Sequence, residues 1–308
     1  TMPSFPDRQF AASSAAAALA KTDLGDLPEW NLSDLYAGID APELKRDLEK
    51  AASDAIAFEE RWKGRLAAEA GRGSQGRLGE AMREYEALDE LAGRIGSYAG
   101  LLYTGDTSDP ARAKFYGDVQ QKLTDAGSHL LFFGLELNKI DDALIAKALS
   151  EDLAFGHYRP WIEDLRKEKP YQLEDRVEQL FHEKSVTGRG AWNRLFDETM
   201  TGLRFTVDGE EQTLEPTLNR LQDADGEVRR KAAEALAATF SKNIRTFTLI
   251  TNTLAKDKEI SDRWRGFRDI ADSRHLANRV EREVVDALAA AVREAYPRLS
   301  HRYYAMKA

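Results

Sequence analysis

Two apolar stripes, set one after the other, constrain this chain more than any other feature. Leu78, Met82, Tyr85, Leu88, Leu91, Ile95, Tyr98 and Leu102 recur at three- and four-residue steps, the spacing of one face of an α-helix. After the turn-forming stretch Thr104–Pro110 the pattern resumes through Phe115, Val119, Leu123, Ala126, Leu130, Phe133 and Leu137. Long amphipathic helices joined by a short loop pack antiparallel. Alanine, leucine, glutamate and arginine dominate the composition and the nine prolines sit at segment edges, as in a helical protein. The expected fold is therefore all-α, a multi-helix array with long antiparallel helices and one small β-hairpin.

The hairpin is expected at Leu203–Leu214, where alternating Leu203, Phe205 and Val207 meet Asp208-Gly209 and return through Gln212-Thr213-Leu214. Residues 1–26 read as a flexible leader. Pro42 opens a helix expected to reach about Ala68, and Gly71–Gly76 reads as a flexible linker. Gly93, Gly96 and Gly100 fall at helical spacing, either to admit a close backbone or as tolerated small residues. Further on, Asp223 or Asp225 would cap a helix over Glu227–Phe240, and Ser241 or Asn243 a second over Ile244–Ile260. Glu281–Ala295 is amphipathic through Val284, Leu288 and Val292. Pro297 restarts a helix that meets no stop signal before Ala308. No sequence repeat recurs at a fixed period, which argues against a solenoid.

A formal charge of −9 and a pI near 5.3 oppose binding to nucleic acid or anionic membranes. No apolar run reaches the length of a membrane span. The chain has no cysteine, so thiolate metal sites and cysteine nucleophiles are excluded, and a reducing cytoplasm is the expected location. Among the five histidines, none has a partner four residues away, the spacing that puts two imidazoles on one helix face. His182-Glu183 begins like such a motif, but Val186 stands where the second histidine belongs. Adjacent acids such as Glu59-Glu60, Asp141-Asp142 and Glu210-Glu211 diverge around a helix and read as solvated faces.

The most distinctive segment is Lys167–Phe205, KEKPYQLEDRVEQLFHEKSVTGRGAWNRLFDETMTGLRF. It resembles a signature segment of the oligoendopeptidase F family, zinc endopeptidases of the thimet-oligopeptidase-like kind. The resemblance extends to WNLSDLY at Trp30–Tyr36, to Leu221–Leu236, and to the stretch from Asp262 to the last residue. It implies an N-terminal helical domain over residues 27–200, and over residues 201–308 a hairpin with helices leading toward a zinc-binding half that these residues lack. In that half, the resemblance implies, His-Glu-x-x-His and a downstream Glu hold zinc while the motif Glu polarises water.

This chain would then form the substrate channel of a metalloendopeptidase acting on short unstructured peptides, with no catalytic or metal-binding residue of its own and no activity alone. Its partners would be the zinc-bearing C-terminal half, in the same or a separate polypeptide, and oligopeptide substrates. Asp262–Asn278 concentrates Arg263, Arg265, Arg268, Arg274 and His275 around Gly266-Phe267. The resemblance places such a segment along the channel wall, and Arg265, His275 and Asn278 are the substrate-channel candidates. Local salt bridges to Asp262, Asp269 and Asp272 are the structural alternative for these arginines. For the whole chain, the alternative is a non-enzymatic helical scaffold or partner-binding protein derived from such a peptidase.

Overall fold

The computed structural model describes residues 30–308; the expected leader over residues 1–26 lies outside them. The fold is all-α with one two-stranded element. The described residues divide into two units, residues 32–200 with 245–308, and residues 201–244 with Trp30 and Asn31.

In the larger unit, α1 spans Pro42–Trp62 and α2 Leu66–Gly71. The expected single helix to Ala68 is thus broken at Lys63–Arg65. Gly64 adopts φ +77°, a left-handed conformation that a side chain would oppose. Its N–H donates to both Glu136 carboxylate oxygens, at 2.8 and 3.0 Å. The expected flexible linker is instead a short 3₁₀ turn over Gly73–Gln75, closed by the buried Glu69, which accepts from the Arg77 backbone N–H at 3.0 Å and from Arg72 at 2.8 Å.

The two stripes form α3, Leu78–Gly105, and α4, Pro110–Lys139. Asp109 caps α4 by accepting from the N–H groups of Ala111 and Arg112, with Pro110 at the first position. Helices α1, α3 and α4 pack together around two apolar clusters. One contains Phe58, Trp62, Met82, Leu88, Phe133 and Leu137, the other Tyr36, Leu44, Ile95, Tyr98 and Val119. Tyr36 donates to Asp47 at 3.0 Å and lies under the Arg94 guanidinium, 4.6 Å from the ring centre. Burial, then the Asp47 bond, push its hydroxyl up to about 12. A Cβ on Gly93 would meet nothing, and one on Gly96 only a Leu123 methyl at 3.4 Å. The close approach is elsewhere: a Cβ on Gly79 would lie 2.5 Å from that of Ala154.

The chain continues through α5 Asp142–Glu151, α6 Leu153–Gly156, α7 Arg159–Arg166, α8 Asp175–Lys184 and α9 Arg189–Gly202. In the smaller unit, β1 Phe205–Val207 and β2 Glu210–Gln212 pair antiparallel, with Phe205 opposite Gln212 and Val207 opposite Glu210. Asp208 and Gly209 both have positive φ, 55° and 85°, as a tight two-residue hairpin turn requires. Leu203, Phe205 and Val207 are buried, with Phe205 edge-on to Phe240. The short helix α10, Leu214–Asn219, follows.

The next element corrects an expectation. Gly226–Arg265 is one 40-residue helix, α11, rather than two, with its first part in the smaller unit and its last part in the larger. Asp225 accepts from the Glu227 N–H at 2.9 Å and starts it. Asn243 does not cap a second helix, because its amide donates back to the Thr239 carbonyl at 3.0 Å, a bond compatible with an uninterrupted helix. Three helices complete the larger unit: α12 Asp272–Ala277, α13 Arg282–Ala295 and α14 Ser300–Lys307.

Candidate functional site

The signature segment and the arginine-rich turn meet. The last turn of α11 carries Arg265 onto α8, where its two terminal nitrogens donate to the two oxygens of Glu178, each at 2.7 Å. One of them also donates to the Tyr171 carbonyl at 3.2 Å. Glu178 is buried and accepts a third bond, from the Leu173 backbone N–H at 2.8 Å. Phe267 stacks on Tyr171 with centroids 4.1 Å apart, and the Arg265 guanidinium lies 5.8 Å from the centre of the Phe181 ring. Gly266, at φ +77°, turns the chain between these anchors.

Burial alone would raise the Glu178 carboxyl, but the Arg265 and Leu173 hydrogen bonds and the Arg265 charge outweigh it and hold it below the ordinary carboxylate value. The hydrogen bonds to Glu178 raise Arg265, against the opposing effect of burial. A depressed carboxylate contributes stability that is present above its unfolded value and is lost as pH falls through its folded value. The stability difference between the native chain and Glu178→Gln should therefore narrow below about pH 4.3, as urea unfolding across a pH series would measure. A difference that stays constant through acid would remove this pair from the acid response.

Arg263 takes a partner other than those expected. Arg263 pairs with Glu259 at 3.0 Å and Asp262 with Lys258. Asp269 and Asp272 are instead taken by Arg282. Arg279, at φ +53°, reaches back to Glu168 at 2.9 Å. Of the three channel candidates, Arg265 is committed to Glu178, whereas His275 and Asn278 lie on and just after α12. His275 is half-buried and Asn278 exposed. No hydrogen bond among the described residues joins the three.

His182 is in the last turn of α8, and its Nε2 lies 3.1 Å from the Thr124 carbonyl, so that nitrogen carries the proton. His129, on α4, has Nδ1 2.5 Å from Glu59 on α1. Sequence reasoning missed this pair, as it missed Glu178, because neither partner is near its mate in the chain. Among the described residues no group of three or more His, Asp or Glu side chains could hold a metal ion. Zinc does not fit these described residues. No helix of the described residues is long and apolar enough to cross a membrane.

The family model described as Oligopeptidase F matches residues 136–205, a span containing the whole of Lys167–Phe205. The chain is 25% identical over 289 residues to the oligopeptidase PepF of Bacillus subtilis (strain 168), covering 90% of this chain and 41% of that protein. The N-terminal portion of oligoendopeptidase F is what this chain resembles. The crystal structure of oligoendopeptidase-F from Enterococcus faecium shares the fold, with a TM-score of 0.74 at 20% identity over 86% of this chain and 52% of that one. The chain thus spans about two fifths of the curated relative and half of the solved one.

Proposed function

We propose that this chain forms the helical, substrate-channel part of a zinc-dependent oligoendopeptidase acting on short unstructured peptides. The single observation that carries this reading is the matched segment at residues 136–205, which holds the platform, Tyr171, Glu178 and Phe181, on which the arginine-rich turn is mounted. The uncovered apolar stripe of α13 also supports it: Val284, Leu288 and Val292 stand at four-residue spacing and are exposed, as a surface that packs against further polypeptide would be. On this reading the metal and the base belong to a C-terminal half, and His275 and Asn278 face the peptide.

Peptidase assays test the proposal. The isolated chain should leave quenched fluorescent oligopeptides intact and hold no stoichiometric zinc after dialysis, and cleavage should appear when a zinc-bearing C-terminal half is supplied. Robust hydrolysis by the purified chain in the presence of a chelator would overturn it.

A further inference from the structure

The turn that Arg265 anchors runs on into α12, whose backbone is held at both ends. Lys258 Nζ donates to the Ile270 carbonyl at 2.8 Å and to the Ser273 hydroxyl at 2.9 Å. Asp272 accepts from the N–H groups of Arg268 and Asp269, at 3.2 and 2.9 Å, and pairs with Arg282. At the far end Arg279, with its positive φ, closes the helix. Its N–H donates to the Leu276 carbonyl at 3.0 Å, and the Val280 N–H to that of His275 at 3.1 Å.

Two polar side chains of this fixed segment point to a ligand. Arg274 and Asn278 are both exposed, and neither side chain has a hydrogen bond or ion pair among the described residues. They stand one helical turn apart, the Asn278 N–H donating to the Arg274 carbonyl at 3.0 Å, so their Cβ atoms lie about 5–6 Å from each other on one face. The acids of the turn do not compete for Arg274. Asp262 pairs with Lys258, and Asp269 and Asp272 with Arg282. Glu281, at the start of α13, forms no ion pair with it. Arg268 is exposed as well, but Asp272 accepts from its backbone N–H and would repel a second carboxylate.

We propose that Arg274 and Asn278 bind the C-terminal end of a peptide. The Arg274 guanidinium takes the terminal carboxylate through its planar fork. The Asn278 carboxamide, at once donor and acceptor, takes the last peptide group. Successive groups of a peptide lie about 3.3–3.6 Å apart, a separation that the long arginine stem adjusts to. Because the segment beneath is already held, little order is lost on binding. The proposal rests on the reading of the arginine-rich turn as part of a peptide channel, and it names the part of the peptide bound there.

Nuclear magnetic resonance titration of the full chain tests it without cleavage, so failure here and failure of the peptidase assay are separate results. N-acetyl-trialanine, which has a carboxylate and no ammonium, should shift the backbone amides of residues 272–280. It should bind about fivefold more tightly than its C-terminal amide at low salt, the scale of a well-formed exposed ion pair, and the advantage should shrink as salt is added. Arg274→Ala should reduce the free acid to the affinity of the amide and leave the amide unchanged, with Arg274→Lys recovering part of the difference. Asn278→Ala should weaken both peptides alike. Neither side chain holds the fold, so the urea midpoint should not move. Equal binding of acid and amide, or an advantage that survives Arg274→Ala, would overturn the assignment. So would an amidated peptide with an internal glutamate that binds as tightly as the free acid, since any carboxylate would then serve.

Discussion

Arg265→Ala should lower the stability of the chain by about 3 kcal/mol, because it leaves a buried carboxylate without its counter-charge. Glu178 has 10% of its side chain exposed and Arg265 26%, so water can do little to compensate. The two parallel N–H···O bonds give the pair a fixed geometry that a lysine could not reproduce. Arg265→Lys should therefore recover only part of the loss. Replacing both partners, as Arg265→Met with Glu178→Leu, should cost less than Arg265→Ala alone, since the desolvated charge is removed with its mate. Urea unfolding of the two single variants and the double variant forms a cycle that isolates the coupling. A loss below about 0.5 kcal/mol, the range of ordinary surface substitutions, would show the pair to be solvated.

This pair also shows where reading the sequence stops. The stripes of α3 and α4 were legible because helix periodicity is local: each residue that repeats at three or four positions needs only its own neighbours to define a face. The hairpin was legible for a similar reason, since Asp208-Gly209 specifies its own backbone conformation. Features set by distant partners were not legible. The break at Gly64 depends on Glu136, 72 residues away, and Arg265 finds Glu178 across 87. Nearby Asp262, Asp269 and Asp272 were the natural candidates from sequence, but only the fold decides which carboxylate is desolvated enough to need a guanidinium. Ser241 and Asn243 misled in the opposite direction. Their residue types favour caps, yet no glycine or proline stands between Gly226 and Gly266 to stop the helix.

The largest single effect is expected at Phe133. Its side chain is fully buried, stacked on Tyr85 with centroids 4.7 Å apart and edge-on to Phe58 at 5.3 Å. It thereby joins α1, α3 and α4 in one aromatic cluster with Phe132. Phe133→Ala removes the ring and opens a cavity that three helices cannot all close upon, at a cost of about 3–5 kcal/mol. For a domain stabilised by roughly 5–15 kcal/mol that is enough to bring much of the chain near unfolding at ambient temperature. Phe133→Leu fills most of the volume and should lose distinctly less. Leu288→Ala, on the exposed stripe of α13, makes the informative contrast. It removes a similarly apolar side chain, but one that the chain's own fold leaves in water, and should change stability by no more than about 0.5 kcal/mol. Urea midpoints for the three variants separate a side chain that holds this fold together from one that the fold leaves exposed. A loss at Leu288 as large as that at Phe133 would mean that α13 is already covered by the chain itself, and the stripe would no longer support the proposed function.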